Sequence, residues 1–374
     1  MASKSDLIYL KSNVYEEALK RIEQIYNSHD EVWISYSGGK DSLVCLKLVE
    51  EYFDREGITD KINVVFRDEE IINNAIREFV LTFVDNPRYN FKYYATQLES
   101  EIYILGEKKT LIQWDENRDW IVPKPDCAIT LKSVCSQYTF DKHLYANSNR
   151  RCCTILGIRA DESLMRFAGI TASMVCHLTK VPKLKNVTMG KPIYDWTEKD
   201  VFKYMYEKDI EYCKIYDHQI FNKDQLRVAS AVHAEAAKRL HKVKTIDPLL
   251  YNQIMDVFPE VDVQARYYTS LTKGNAQKTM YKYKEKVGGD VWTAIYSYID
   301  NEISDVKQNN MAKQKVIQAQ NTRRRNESIE NEFGGYPAYY VFAKVIGGGY
   351  KRNIIPTPEK KEVFYEFEDK SRRA

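Results

Sequence analysis

Six consecutive residues carry the strongest chemical signal in the chain: Ser37-Gly38-Gly39-Lys40-Asp41-Ser42. Adjacent glycines let a backbone approach an anion closely and adopt positive φ where a turn demands it. A helix that begins at this point would add unpaired N–H groups and the positive end of its dipole. Two hydroxyls and one lysine complete a site suited to a polyanion such as a phosphate chain. The Walker pattern does not fit, because Asp41 follows Lys40 where Ser or Thr is required. A dinucleotide fingerprint does not fit either, since no third glycine follows at the needed spacing. An ordinary turn with a serine cap is the plain alternative, and the surrounding strand–turn–helix grammar weighs against it.

That grammar starts upstream. Val14, Ala18, Ile22 and Ile25 recur at helical spacing over 14–27. Glu31 to Tyr36 reads as a strand that runs into the hexapeptide. Leu43 to Glu56 reads as the helix after it, stopped by Gly57. Ile62 to Phe66 reads as a second strand, 71–84 as a helix, and Cys152 to Ile158 as a further strand leading into Gly157-Ile158-Arg159. Strand, glycine turn, helix, strand is the signature of a parallel sheet that binds ligands at the carboxyl ends of its strands. Thr197-Glu198-Lys199-Asp200 predicts a capping box, with the Thr197 hydroxyl at the N-cap of a helix. The expected fold is therefore α/β, a doubly wound parallel sheet, over residues 1–222. A helical domain is expected over 223–330, where Val228, Val232, Ala236 and Leu240 recur every four residues and Ile246 to Phe258 is apolar-faced. A small β tail is expected over 331–374, from Tyr339 to Ile346 and Glu362 to Phe367.

Composition bounds the rest. The chain has 374 residues, 44% hydrophobic and 29% charged, enough to bury a core and to exclude a disordered or collagen-like polymer. A net charge of 56 − 53 = +3 confines any nucleic-acid surface to a local patch. No apolar run approaches the ~18 residues that span a bilayer, and the first residues lack a secretory pattern. A cytoplasmic protein without membrane contact is the expectation. Seven cysteines do not read as a disulfide framework.

The hexapeptide after a strand resembles the pyrophosphate loop of the adenine-nucleotide α-hydrolase (ATP pyrophosphatase, PP-loop) superfamily. Gly157-Ile158-Arg159-Ala160-Asp161-Glu162-Ser163, with Arg166 beyond it, narrows the resemblance to the branch of phosphoadenosine-phosphosulfate (PAPS) reductases. Pro192-Ile193-Tyr194-Asp195-Trp196-Thr197, Asp200-Val201-Phe202 and Ile215-Tyr216-Asp217 are similar to later motifs of that branch. The resemblance covers roughly residues 30–220, and three motifs in order make it specific. Val65-Phe66-Arg67-Asp68-Glu69-Glu70 and Leu226-Arg227-Val228 look closest to prophage-encoded coactivator-type members.

The resemblance implies roles. The amides of Gly38, Gly39 and Lys40 and the hydroxyls of Ser37 and Ser42 would hold a pyrophosphate or phosphosulfate. Lys40 would neutralise it, and Asp41 would order the loop or a Mg²⁺ ion. Tyr36, Val65, Phe66 and Asp68 would line the adenine and ribose pocket, Gly157 would admit the ribose, and Arg159 and Arg166 would face phosphate. Lys40, Asp41, Arg159 and Arg166 would thus carry the catalysis. Read as residues alone, Asp68 to Glu70 also suit a solvated helix start, and Glu162 and Arg166 suit a simple ion pair. The implied function is an enzyme that binds ATP or PAPS and acts at the α-phosphate or phosphosulfate, in sulfur transfer or nucleic-acid modification. Its rivals are a true PAPS reductase and a non-catalytic nucleotide-responsive regulator that works with a partner protein or DNA.

Departures from the family disfavour thiol and iron–sulfur chemistry. The reductases use a cysteine near the C-terminus, whereas the last cysteine here is Cys213. Cys152-Cys153 has no Cys-x-x-Cys to join it in an iron–sulfur site, and in a strand the two side chains would point to opposite faces. A looser set of Cys127, Cys135 and Cys153 or Cys176 is a weak alternative, and His233-Ala234-Glu235 lacks the downstream cysteines of a zinc deaminase. Arg266-Tyr267-Tyr268 and Tyr281-Lys282-Tyr283-Lys284 interleave aromatic and basic residues ahead of Lys313, Lys315, Arg323, Arg324 and Arg325. That composition suits nucleic acid, and slightly better a solvated helix with snorkelling lysines.

Overall fold

The computed structural model describes residues 11–321 and 338–354, apart from 105–106, 146–148, 173–174, 182–183, 223, 225, 227, 229, 231–239 and 352–353. Along the chain come α1 (Val14–Ser28), β1 (Glu31–Ser35), α2 (Lys40–Glu56), β2 (Ile62–Arg67), α3 (Asn74–Val84) and β3 (Tyr89–Tyr94). A hairpin of β4 (Leu98–Ile104) and β5 (Glu107–Gln113) follows, then α4 (Gln137–Leu144), β6 (Cys152–Ile155) and α5 (Leu164–Thr171). The sheet is completed by β7 (Leu178–Lys180) and β8 (Val187–Gly190), followed by α6 (Glu198–Glu207) and α7 (Ile215–Phe221).

Six strands form one sheet in the order β3-β2-β1-β6-β8-β7, parallel except for β7. From β1 the chain builds towards β2 and β3 on one side, while β6 joins its other edge. The crevice at the carboxyl end of β1 is thus the topological switch point, where open α/β sheets take their ligands. Strand alternation loads both faces. Ile34, Val64, Phe66, Cys153 and Ile155 enter the core covered by α1, α2, α3 and α6. Trp33, Val65, Tyr94, Cys152 and Val187 enter the opposite core with Phe140 and Tyr145. Cys152 and Cys153 therefore lie on opposite faces, as the pleat requires. Gly57 ends α2 at φ +66°, in the left-handed conformation that suits glycine after a helix.

The chain divides into two compact units, 1–266 and 267–374. The break expected at 222/223 therefore differs from the observed one. The reason is apolar: after α8 (Leu240–Ile246), α9 (Pro248–Val257) buries Leu250 and Ile254 in the sheet's own core, and Leu226 and Val228 pack against it. Val228 lies outside any helix, and 231–239 of the expected four-residue repeat lie outside the described residues.

The boundary falls within α10 (Glu260–Lys286), and α11 (Val291–Glu302), α12 (Val306–Asn321) and α13 (Ala338–Ile346) follow. In the second unit Tyr283, Ile295, Ile299, Val316, Val341, Phe342 and Val345 share a core. Here the first strand expected in the β tail is a helix instead. Tyr339 to Ile346 is helical, because Val341, Phe342 and Val345, at i, i+1 and i+4, form one buried stripe. A short apolar run carries no periodicity that separates strand from helix. Glu362 to Phe367 lies outside the described residues.

Candidate functional site

β1 delivers the hexapeptide to the switch point, and the Tyr36 N–H donates to the Val65 carbonyl at 2.9 Å as the chain leaves the sheet. Gly38 has φ +72°, and a Cβ there would come within 2.7 Å of Ile76 Cγ2 and 2.8 Å of Val80 Cγ2. Glycine is thus required twice over. Two serines lace the turn: Ser42 Oγ donates to the Gly39 carbonyl at 3.0 Å and lies 2.9 Å from Ser37 Oγ. The Ser37 and Gly39 amides donate to Ser42 Oγ and Ser37 Oγ, at 3.0 and 3.3 Å. Both hydroxyls serve the loop itself instead of standing open to a ligand. Gly39 is the N-cap of α2 and supplies no side-chain acceptor, so the first turn of a 17-residue helix is left to other partners.

Charge converges on Asp41. Its Oδ2 lies 3.1 Å from Lys40 Nζ and its Oδ1 2.6 Å from Arg159 Nε. Lys40 and Arg159 are each only 2% exposed. Lys40 Nζ also lies 3.8 Å from Glu198 Oε2, 3.5 Å from the Leu226 carbonyl oxygen and 5.4 Å from the centre of the Tyr216 ring. Arg159 reaches Asp161 and Glu162 only at 3.7 and 3.9 Å, and its buried Nη1 has no hydrogen-bond partner among the described residues. Arg166 pairs with Glu162 on the surface side. Gly157 shows why the Gly-Ile-Arg turn sits here. A Cβ would fall 2.5 Å from the Asp41 carbonyl carbon and 2.6 Å from the Ser42 amide nitrogen. Its missing side chain admits the first turn of α2.

The expected adenine pocket is not assembled from the residues assigned to it. Phe66 is core, 4.9 Å from the Tyr93 ring, and Val65 is buried on the other face. Tyr36 is buried between Phe83 and Phe91, and its hydroxyl has no partner among the described residues. Asp68, 1% exposed, accepts from Arg77 Nε and Nη2 at 2.9 and 3.2 Å, from the Glu70 amide at 2.8 Å and from the Tyr93 hydroxyl. Burial pulls the Arg77 guanidinium down, and Asp68 more than reverses this, holding it above its usual value. Glu70 accepts from both terminal nitrogens of Arg118 and from the Trp114 and Ile121 amides. Neither the pocket-lining role implied for Asp68 nor a solvated helix start describes Asp68 and Glu70, which form a buried clasp.

The Pro192–Thr197 motif is also partly structural. Asp195 takes a two-pronged bond from Arg21 at 2.6 and 2.7 Å, and Trp196 Nε1 donates to the Val14 carbonyl at 3.0 Å, fixing α1. Thr197 and Asp200 form the capping box expected of them. The motif after it does reach the loop: the Lys40 amide donates to the Tyr216 hydroxyl at 2.8 Å. Tyr216, Glu198, Leu226 and Val228 were not foreseen at the site. Tyr216, Leu226 and Val228 stood only in stretches of the family resemblance and Glu198 only in the capping-box phrase. Tyr216 lies 176 residues from the amide it touches, and a Cβ on Gly39 would fall 2.8 Å from Val228 Cγ2.

Asp41 does not fit the Mg²⁺ role, since both of its oxygens are held by cations. No group of three or more metal-ligating side chains occurs among the described residues. Cys45, Cys135, Cys152, Cys153 and Cys213 are buried. Burial pushes the Cys153 thiol up to about 11 and raises Cys213 as well. In the second unit Lys313 lies 2.5 Å from Asp300 and Lys315 donates to Gln318 at 3.1 Å, while Arg323, Arg324 and Arg325 lie outside the described residues. Tyr283 is core and Lys284 donates to the Tyr339 hydroxyl at 2.7 Å, so part of the aromatic–basic run serves packing. No helix among the described residues is long and apolar enough to cross a membrane.

A mostly parallel sheet with a glycine loop at its switch point is the nucleotide-binding class of α/β fold. Within it, the phosphoadenosine phosphosulfate reductase domain model matches residues 31–271, and the chain belongs to that family. Among curated proteins it is similar to the uncharacterised YbdN of Escherichia coli, 28% identical over 217 residues, covering 52% of each chain. It is also similar to the uncharacterised MJ0973 of Methanocaldococcus jannaschii, 25% identical over 238 residues, 64% of this chain and 50% of the other. The chain spans about half the length of these relatives. Similar solved structures include FMN adenylyltransferase of Candida glabrata (13% identity, TM-score 0.38, 60% of this chain and 68% of that one). PAPS reductase of Candida auris is another (10% identity, TM-score 0.35, 59% and 97%). None of these matches speaks to the prophage coactivator subset.

Proposed function

We propose that the chain binds an adenine nucleotide, ATP or PAPS, with its phosphates at the amino end of α2, and that it acts at the α-phosphate or phosphosulfate. One observation carries the reading: Arg159 is buried at the switch point, and its Nη1 has no hydrogen-bond partner among the described residues and only a 3.7 Å approach to Asp161. Buried polar groups are nearly always satisfied, so a buried guanidinium nitrogen without an acceptor, beside a helix N-terminus, calls for an anion. Lys40 and Arg159 would neutralise charge on the leaving phosphates, while Asp41 holds both cations in register. Arg166, paired with Glu162, would steer the anion inwards and not contact the reacting phosphorus. Any Mg²⁺ would enter on nucleotide phosphates and not on Asp41. Sulfur transfer or nucleic-acid modification is the proposed setting, with Lys313, Lys315 and Arg323 to Arg325 as the nucleic-acid contact.

Calorimetric titration with ATP and with PAPS tests the binding, and pyrophosphate release measured with and without DNA tests the chemistry. Saturable binding that Arg159→Gln weakens at least tenfold is the expected outcome. Equal affinity in wild type and Arg159→Gln would reject the site. The rival reductase requires a thiolate nucleophile, and the buried, upward-shifted Cys213 and Cys153 favour the reading without one.

A further inference from the structure

The amide of Lys40 is the first of α2, where an unpaired N–H and the helix dipole together receive an anion. In this structure that amide donates to the Tyr216 hydroxyl oxygen at 2.8 Å. The ring of Tyr216 is buried, and Lys40 Nζ lies over it at 5.4 Å. Burial pushes the phenol's ionisation up, so the oxygen facing the amide is a neutral one. Gly39 makes the approach feasible, since a Cβ there would sit 3.1 Å from the same oxygen. Lys40 Nζ is likewise satisfied from within, by Asp41 and the Leu226 carbonyl oxygen.

Accepting the loop as the phosphate site of the preceding section, we infer that Tyr216 is a positioning residue whose hydroxyl stands in for a phosphate oxygen. It holds the loop in a self-satisfied state and must yield the Lys40 amide before a phosphate can take it. An ionised phosphate oxygen is the stronger acceptor and displaces the phenol, but the displacement lowers apparent affinity. The device follows from two elements meeting at one donor: α7 brings the oxygen, α2 the amide. Arg159 Nη1, buried beside the same loop with no hydrogen bond among the described residues and Asp161 no nearer than 3.7 Å, is the independent sign that an anion belongs there.

Tyr216→Phe isolates the hydroxyl, because the ring, its packing and its contact with Lys40 are retained. Inorganic pyrophosphate is the probe, with ATP second. Both should bind Tyr216→Phe about three- to tenfold more tightly than wild type, the worth of one neutral hydrogen bond. In the ligand-free variant the Lys40 amide should exchange with deuterium faster while the later amides of α2 do not, a change that mere loss of packing would not confine to one group. Equal or weaker pyrophosphate binding in Tyr216→Phe, with wild type binding normally, overturns the inference and leaves the site standing. Failure of pyrophosphate and ATP to bind either protein overturns the site, and the inference with it.

Discussion

Two buried ion networks sit at the carboxyl ends of adjacent strands, β2 and β1, and they are built to different standards. At the end of β2, Asp68 and Glu70 accept bonds from Arg77, Arg118, three backbone amides and a tyrosine. Two donors are left over there among the described residues: Arg118 Nε, on a side chain 18% exposed, and Arg67 Nε, on one 24% exposed. After β1, Asp41 is paired with two cations, yet on Arg159, a side chain 3% exposed, Nη1 has no hydrogen bond among the described residues and meets Asp161 only at 3.7 Å, as Nη2 meets Glu162 at 3.9 Å. A network whose acids are fully consumed is scaffold. One that is satisfied only in part, in a crevice, is where a ligand completes it.

The largest effect should come from breaking the scaffold. Asp68→Ala strands the Arg77 charge in the core and should cost about 3–5 kcal/mol in urea unfolding, whatever nucleotide is present. Should the variant keep wild-type stability and lose nucleotide binding instead, the two networks have been assigned the wrong way round. Arg159→Gln tests the other side: nucleotide binding should fall by about 1.5–3 kcal/mol, read by titration, while the unfolding midpoint moves much less than in Asp68→Ala. Gly38→Ala forces a left-handed backbone on a residue with a Cβ and drives that atom into Ile76 and Val80. It should destabilise by about 1–2 kcal/mol, seen as a lower melting temperature. The smallest effect belongs to Tyr36→Phe, which deletes a buried hydroxyl that has no partner among the described residues. Stability should stay level or rise by about 1 kcal/mol; a drop of that size would show that the hydroxyl has a use.

Sequence reasoning reached the local structure well and the long-range pairing poorly. The glycine loop, the end of α2 at Glu56 and the Thr197 capping box depend on neighbours within a few residues, and each lies where spacing put it, while α2 begins at Lys40, three residues before the expected Leu43. The opposite facing of Cys152 and Cys153 follows from the pleat alone. By contrast, Asp41 finds Arg159 across 118 residues, and Glu70 finds Arg118 across 48. No periodicity announces such pairs. Asp68 misled although its arginine lies only nine residues on: an acid at the end of a parallel strand looks available until the next helix is known to turn that arginine back onto it. The α13 segment misled differently, because eight consecutive, mostly apolar residues satisfy strand and helix alike, and packing in the second unit decided between them.

The distinction between scaffold and site can be measured in one experiment, hydrogen–deuterium exchange on the intact chain with and without saturating ATP. Exchange should slow in peptides spanning 37–43 and 157–163, around the loop and Arg159, and stay unchanged over 65–72, where Asp68 and Glu70 are already satisfied. Protection over 65–72 with none over 37–43 would contradict the account and return the nucleotide to the end of β2.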